Sequence, residues 1–397
     1  MAAGYSGAKF DESKSPAIFP YELLPFITST RRQPGRILRN NAVVYSSVPD
    51  VGPVAPIFRQ NMDPDGTTLN LTCDIHHHTL AARKKNGQPP PVLIYVHGGA
   101  WFLGGRDYGH ASPLINRAAL DGYVVMSVDY RLCPAAKFPD FVVDVKSAIR
   151  YVREGGLEKE MGFSVDSGTI VLAGDSAGGH IVNLAALSQN DPYFQPGFES
   201  VDTAVQGVID MFAPSDGRGA LEDVFSEIII QRKYKGFEND PVTKAAMERV
   251  SPVCQDLEET FRSNGKEGTN GGVPNGGIRW LHFHGTKDGL VPNEENRVYY
   301  SKIFRAVGAT EAGGFDRDRF ESGEDSEAVG FGKVAHVELE GSFHGFSAFV
   351  SMKTVAFCDA VTVVLENVKE EGRKRRRSGG GEAVETGEVE VEINPVN

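Results

Sequence analysis

One stretch near the middle of the chain, 169–180, constrains the fold more than any other part of the sequence. It begins as an apolar run rich in β-branched residues and leads to Ser176, which has Gly174 two positions before it and Gly178 two positions after it. This pattern predicts a buried strand that turns sharply into a helix, because a serine held at positive φ leaves room only for hydrogen atoms at the two glycine positions. We therefore expect the hydroxyl of Ser176 to stand at the end of a central strand.

Composition limits what this motif can mean. With 397 residues, of which 40% are hydrophobic, the chain can bury the core of one large α/β domain and a small appendage. The net charge of −12 argues against nucleic acid as a partner. Four cysteines without a C-x-x-C pair indicate neither a disulfide framework nor a zinc site. Since no basic start leads into an apolar segment and no uncharged apolar run reaches transmembrane length, we expect a cytoplasmic protein without membrane insertion.

Hydrophobic periodicity predicts strands and helices in alternation along most of the chain. Helices are predicted after Ser176 and over 140–153, 294–307 and 347–368. Strands are predicted over 37–48, 67–78, 91–96, 123–128, 169–175, 205–212, 278–285 and 333–339. The first two strands are expected to be antiparallel neighbours at an edge, and the later alternation of strand and helix predicts a mostly parallel sheet with helices on both faces.

A glycine pair, Gly98 and Gly99, follows the third predicted strand. Two glycines in a tight turn can direct successive amide groups at one point, as the stabilisation of an oxyanion requires, so these two amides are the predicted donors. His97, just before them, is expected to orient the loop by a hydrogen bond. Trp101 and Phe102 come next and indicate an apolar substrate group of small to medium size.

An acid and a histidine each follow a later strand. Asp288 comes after the strand predicted over 278–285, and His344 lies between small residues directly after the last strand. A histidine in such a loop can place its ring over the top of the sheet, and a neighbouring carboxylate can select its tautomer. His282 and His284 alternate along their own strand, so we expect them to face the core or the helical layers.

Three consecutive histidines, His76, His77 and His78, end the second predicted strand. Adjacent residues of a strand point to opposite faces, so the three rings cannot converge on one metal ion. We interpret them as a solvated strand end. The sequence indicates neither a metal ion nor an organic cofactor.

In these motifs the chain resembles the hormone-sensitive lipase-like serine esterases, a branch of the α/β-hydrolase fold. The likeness covers about residues 90–365 and has its blocks in the order of that family. The blocks are His97-Gly98-Gly99 with Trp101, Asp129-Tyr130-Arg131-Leu132-x-Pro134 with Phe138-Pro139, Gly174-Asp175-Ser176-Ala177-Gly178-Gly179, and Asp288 with His344. Ala100 stands at the fourth position of the glycine block, where a role as backbone donor tolerates it.

The resemblance implies an α/β-hydrolase fold with a helical cap, and it assigns roles to the singled-out residues. Ser176 is implied as the nucleophile, His344 as the general base and Asp288 as the residue that orients it. The implied oxyanion hole consists of the amides of Gly98, Gly99 and Ala177. The expected segments are an N-terminal cap segment (1–35), the first part of the core (36–215), a cap insertion (216–251), the second part of the core (252–368) and a disordered charged tail (369–397).

The expected function is therefore hydrolysis of a small-molecule ester through an acyl-enzyme. The same triad could cleave a thioester, a formamide or another amide. An alternative of a different class is a small-molecule receptor on a hydrolase scaffold, as the plant gibberellin receptors are, but such receptors typically lose the catalytic histidine. The basic run Arg373–Arg377 is either part of a solvated tail or a nuclear localisation signal. The sequence leaves the oligomeric state open, a homo-oligomer included.

Overall fold

The computed structural model describes residues 37–49, 61–79, 88–107, 112–232, 240–257, 278–306, 334–348 and 352–378. The predicted N-terminal cap segment and the last part of the predicted tail, 379–397, lie outside these ranges. Within them the chain forms an eight-stranded sheet with helices on both faces. The α/β-hydrolase architecture predicted from the motifs is thereby confirmed.

The sheet contains all the predicted strands, and their bounds differ from the predicted ones by at most three residues. They are β1 (Ile37–Val48), β2 (Leu69–His78), β3 (Pro91–Val96), β4 (Val124–Val128), β5 (Asp166–Asp175), β6 (Gly207–Met211), β7 (Arg279–Gly285) and β8 (Val334–Leu339). Their order in the sheet is β1-β2-β4-β3-β5-β6-β7-β8. The contacts of β2 with β1 and β4 are antiparallel, and all later neighbours are parallel. This arrangement brings the carboxyl ends of six strands to one edge.

Burial of both faces explains the apolar runs of the central strands. Every residue of β3, β4 and β6 is buried, as is typical of parallel strands between two layers of helices. Because side chains alternate along a strand, Val92, Ile94 and Val96 enter one core, whereas Leu93 and Tyr95 enter the core on the opposite face.

The helices are divided between these two cores. They are α1 (Ser112–Leu120), α2 (Asp140–Arg153), α3 (Gly156–Met161), α4 (Ala177–Leu187), α5 (Pro241–Val250), α6 (Asn293–Ala306) and α7 (Met352–Ser378). Helices α2 and α4 contribute to the first core, and α1 and α7 contribute to the second. The short helix α1 was not predicted from the sequence. No helix in the described part of the chain has both the length and the apolar character needed to cross a bilayer.

The predicted cap insertion, 216–251, contains a π-helical turn, Val224–Ile229, and helix α5. Asp240 caps α5, since its carboxylate accepts a hydrogen bond of 2.8 Å from the amide of Thr243. The turn is anchored by Phe225, whose fully buried side chain joins the core beneath α4. That this insertion covers the site as a lid stays a prediction.

Helix α7 continues past residue 369, where the sequence predicted the start of a disordered tail, 369–397. The ammonium group of Lys369 donates to the carbonyl oxygen of Asp121 at 2.8 Å, and Arg376 pairs with Asp166. The prediction was wrong for this part of the tail, because its charged side chains find partners on the folded core that composition cannot reveal.

The predicted solvated strand end at His76, His77 and His78 is also wrong. His77 and His78 are buried, and the ring of His77 lies 5.6 Å from that of Phe163. Strand β2 is the second strand of the sheet, flanked by β1 and β4, so its final residues are covered as its first ones are. Burial lowers the pKa of His76 to about 4.

Candidate active site

The predicted nucleophile stands at the sharp turn between β5 and α4. Ser176 has φ +50°, a conformation that a non-glycine residue rarely adopts. A side chain at Gly174 would bring its Cβ to 2.6 Å from the backbone of Gly178, and one at Gly178 would collide with the carbonyl oxygen of Val96. The amide of Ser176 donates to the carbonyl oxygen of Met211 at 2.8 Å, which fixes the turn to strand β6. Steric exclusion thus explains both glycines of the motif.

The structure brings Ser176, His344 and Asp288 into one hydrogen-bonded row. Nε2 of His344 lies 2.9 Å from Oγ of Ser176, and Nδ1 of His344 lies 2.8 Å from Oδ2 of Asp288. An ionised carboxylate only accepts, so Nδ1 carries the proton and Nε2 is free to accept from the serine hydroxyl. This is the arrangement that a general base requires.

Asp288 is the most deeply buried member of the row. Its side chain is 0% exposed, whereas that of His344 is 21% exposed. Oδ1 accepts hydrogen bonds of 2.9 Å from the amides of Leu290 and Val291. Burial alone would raise the pKa of Asp288, but the hydrogen bonds from His284, His344 and the Val291 amide outweigh it and hold that pKa well below its usual range. The carboxylate is therefore ionised in the folded protein near neutral pH.

An aromatic ring that sequence reasoning did not single out supports the histidine. Phe212 directly follows β6 at φ +41°, and its ring centroid lies 4.5 Å from that of His344. The ring of Phe346 packs edge-on against that of Phe212, with the two centroids 5.3 Å apart. The position of Phe212 at the carboxyl end of a central strand is the signal that could have indicated it.

The loop after β3 does not present both of its predicted donors. The amide of Gly98 donates to Oδ1 of Asp175 at 3.0 Å, and the hydroxyl of Tyr95 donates to the same oxygen. This corrects the prediction for Gly98, because its hydrogen is already used. The amides of Gly99 and Ala177 have no acceptor among the described residues. Ala177 directly follows Ser176, and Gly99 follows Gly98, whose amide is bonded to the residue before Ser176.

The predicted loop-orienting hydrogen bond of His97 is present. Nδ1 of His97 lies 2.6 Å from the carbonyl oxygen of Gly98, which can only accept. The hydroxyl of Tyr130 donates to the carbonyl oxygen of His97 at 3.0 Å, and the two rings stack with centroids 4.4 Å apart. Burial lowers the pKa of His97, so the ring is neutral. Its contacts fit a residue that holds the loop in place better than one that transfers protons.

Trp101 faces the core instead of the substrate side. Only 2% of it is exposed, its Nε1 donates to Nδ1 of His180 at 3.1 Å, and its ring packs against Phe225 of the cap insertion at 5.2 Å. The prediction of Trp101 as a substrate contact is therefore wrong: the residue joins the loop after β3 to helix α4 and to the insertion. Phe102, by contrast, is 41% exposed.

The assembled groups suit nucleophilic acyl transfer. A hydroxyl, an imidazole and a buried carboxylate lie in a row at the carboxyl ends of parallel strands. Among the described residues no group of three or more His, Cys, Asp or Glu side chains is arranged to hold a metal ion.

Comparison with known proteins agrees with this chemistry. The BD-FAE family matches residues 79–253. Esterase LipQ of Mycobacterium tuberculosis is 30% identical over 285 residues, which are 70% of this chain and 56% of LipQ. The probable carboxylic ester hydrolase LipM of the same species is 40% identical over 215 residues, which are 54% of this chain and 44% of LipM. The chain thus spans about half the length of these curated relatives.

Among solved structures, a fungal esterase from Rhizomucor miehei matches with a TM-score of 0.53 and 19% identity, over 86% of each chain. At that identity the likeness shows the fold alone.

Proposed function

We propose that the chain is a serine carboxylesterase of the hormone-sensitive lipase-like group of the α/β-hydrolase fold, in agreement with its similarity to the BD-FAE family and to esterase LipQ. The observation that carries the proposal is the contact of 2.9 Å between Nε2 of His344 and Oγ of Ser176. A receptor that only binds a ligand has no need of a base at the serine, whereas an esterase cannot work without one.

In the proposed reaction Ser176 attacks the ester carbonyl carbon while Nε2 of His344 takes the hydroxyl proton. His344 then gives that proton to the leaving alcohol. A water molecule, deprotonated by the same nitrogen, attacks the acyl-enzyme, and His344 returns this proton to Oγ of Ser176 as the bond between the acyl carbon and Oγ breaks and the acid leaves. Asp288 holds the proton on Nδ1 throughout and stabilises the imidazolium that forms. General base action of this kind contributes roughly 10²–10⁴-fold to the rate.

The oxyanion of the tetrahedral intermediate is proposed to bind the amides of Gly99, Ala100 and Ala177. Ala100 replaces Gly98 in this set, because the amide of Gly98 already donates to Asp175. Gly99 and Ala100 are consecutive at φ +120° and +51°, so the loop is tightly curled at the point where the two amides are needed. Each donor of this kind contributes roughly 10²–10³-fold to kcat.

Small to medium apolar esters are the proposed substrates. Large apolar side chains are exposed on the loops that carry the catalytic groups: Phe102 and Leu103 after the glycine pair, Leu290 beside Asp288, and Phe343, which is 68% exposed, beside His344. Exposed apolar side chains around a reactive group favour apolar acyl or alcohol groups.

Hydrolysis of p-nitrophenyl esters from acetate to octanoate by the purified full chain tests this function. We expect turnover by the wild type and loss of roughly 10³-fold or more for Ser176→Ala and for His344→Ala. A fluorophosphonate probe should label the wild type at Ser176 and leave the Ser176→Ala variant unlabelled. Equal hydrolysis by wild type and Ser176→Ala would refute the proposal.

A matched panel of one acyl group as ester, thioester and formamide, compared by kcat/KM, decides the leaving group. We expect the ester to be preferred. A higher kcat/KM for the thioester or the formamide would keep the mechanism and change the substrate class, since leaving-group preference depends on the shape of the pocket.

A cytoplasmic location is part of the same proposal, and Arg373–Arg377 stays a candidate nuclear localisation signal. Pairing of Arg376 with Asp166 supports a packing role for at least one member of the run. Fluorescent fusions of the full chain, with and without alanine at these positions, test the location. Light scattering after size exclusion tests for a homo-oligomer.

A further inference from the structure

The carboxylate of Asp288 contacts two imidazoles, and only one of them belongs to the row with Ser176. Oδ2 lies 2.8 Å from Nδ1 of His344 and 3.2 Å from Nε2 of His284. The side chains of Asp288 and His284 are both completely buried. His284 projects from strand β7 and thus reaches the carboxylate from inside the protein.

The neighbours of His284 determine which of its nitrogens carries the proton. Nε2 lies 3.0 Å from the carbonyl oxygen of Val291 and 3.2 Å from Oδ2 of Asp288, and both oxygens only accept. Nδ1 lies 3.0 Å from the amide nitrogen of Asn296, whose other hydrogen goes to the carbonyl oxygen of Ala213 at 2.8 Å. His284 with its proton on Nε2 fits these contacts: the proton is donated to the carbonyl oxygen of Val291 and is shared, at the longer distance of 3.2 Å, with Oδ2 of Asp288.

A second buried histidine, His282, packs behind His284. Nε2 of His282 lies 3.3 Å from Nδ1 of His284, and Nδ1 of His282 contacts Asp210, which also accepts from the hydroxyl of Tyr300. The ring of His282 stacks on Tyr300 and on His336, with centroid distances of 4.5 and 5.0 Å. Packing on both faces holds the plane of His282 and, beside it, that of His284.

We propose that His284 is a positioning residue of the esterase, whose Nε2–H group holds Oδ2 of Asp288 in the place where it receives Nδ1 of His344. This inference rests on the function proposed above and adds a member to the row that touches neither substrate nor reacting atoms. The amides of Leu290 and Val291 fix Oδ1. Oδ2, the oxygen that orients the base, depends on the two imidazoles.

The consequence of losing this donor is a misplaced base rather than a weaker substrate site. Removal of His284 leaves the carboxylate held at Oδ1 by the amides of Leu290 and Val291 but at Oδ2 by His344 alone, so Oδ2 can follow movements of the base that it should orient. Displacement of a catalytic group by about 1 Å can cost on the order of 10²-fold in rate. Substrate contacts are unaffected, so the loss is expected in kcat and not in KM.

Two substitutions at this position separate the hydrogen bond from packing. His284→Leu introduces an apolar side chain of similar size that has no donor. In His284→Gln the amide nitrogen falls near the position of Nε2 and can still donate to Asp288. Both variants lose the acceptor for Asn296, so both should lose thermal stability to a similar degree. Only the donor to Asp288 distinguishes them.

His77→Leu is the matched control. It also removes a buried imidazole from a strand, but four other strands separate β2 from β7 in the sheet. We expect a lower Tm and an unchanged kcat for this variant. For His284→Leu we expect kcat to fall roughly 10- to 100-fold with KM within about twofold, and for His284→Gln we expect most of that loss to be restored.

The measurements are kcat and KM on a p-nitrophenyl ester at 25 °C and Tm by circular dichroism, all on the full chain. If the wild type hydrolyses no ester, the proposed function fails. If the wild type is active and His284→Leu retains its kcat, or His284→Gln is no better than His284→Leu, or His77→Leu loses as much, the positioning role is wrong. Should His284→Leu not fold, His284→Asn replaces it, because its shorter amide cannot reach Asp288.

Discussion

Asp175 joins the loop after β3 to the turn that carries Ser176, the proposed nucleophile, and its loss should reduce activity more than the loss of stability alone explains. Its Oδ1 accepts from the hydroxyl of Tyr95 and, at 3.0 Å, from the amide of Gly98. Asp175→Ala leaves both donors buried without a partner. A buried unsatisfied donor costs about 1–3 kcal/mol, so the two together should lower the free energy of unfolding by about 2–6 kcal/mol.

The effect on catalysis follows from the position of Gly98. This residue is the last fixed point before the amides of Gly99 and Ala100, and releasing it lets both move away from the oxyanion. Loss of one such donor costs roughly 10²–10³-fold in kcat, so Asp175→Ala should lose at least about 10²-fold. Asp175→Asn retains an acceptor for both donors and should lose less.

Tyr95→Phe is the control for stability. It removes one of the two donors to Asp175 and leaves the amide of Gly98 bonded, so we expect a loss of about 1 kcal/mol with kcat within about threefold of the wild type. The assays are urea unfolding and initial rates on a p-nitrophenyl ester. If folded Asp175→Ala has the kcat of Tyr95→Phe, the carboxylate contributes only to stability and the reasoning is refuted.

Three further predictions concern single side chains. Gly178→Ala should lower the free energy of unfolding by at least about 1–3 kcal/mol and reduce kcat, because its Cβ would collide with the carbonyl oxygen of Val96; an unchanged urea midpoint would contradict this. Trp101→Phe should lower Tm but leave the relative kcat/KM for acetate and octanoate esters unchanged, since the ring contacts the core; a changed preference would place it in the pocket. Burial lowers the pKa of His180 to about 4 from 6.5, so the unfolded state binds the proton first and stability is lost as pH falls from about 6.5 to 4, by about 3 kcal/mol in total. His180→Phe should flatten the dependence of unfolding free energy on pH in that window, and an identical slope would show that His180 does not contribute.

The order of the strands along the chain and the sharp turn at Ser176 could be predicted from the sequence, because most of their causes are local. Alternation and apolar runs report the period of a strand and the burial of its faces. Gly174 reports a steric condition within the turn itself, and Gly178 adds a close approach to the carbonyl oxygen of Val96 on the neighbouring strand β3. The helix α1, with nine residues, was missed, because so short a segment has too little periodicity to stand out.

Asp288 and His344 could be proposed before any coordinates, because a parallel sheet brings the carboxyl ends of its strands to one edge whatever the loops contain. Which groups then meet in hydrogen-bonding geometry could not be predicted. The amide of Gly98 is bonded to Asp175, 77 positions away in the chain, and this contact removes it from the oxyanion hole. The fully buried His284 looked from the sequence like a core residue and yet contacts Asp288.

The sequence by itself determined the kind of sheet and the candidates for nucleophile, acid and base, since each depends on short-range pattern or backbone sterics. Only the tertiary structure decided the direction of Trp101, the partner of Gly98 and the second imidazole on Asp288. These depend on the orientation of side chains and amides and on atomic positions within a few ångströms. Both are set by packing between segments that are distant in the chain. Hydrogen bonds act over that same short range, so the details of the site are decided there.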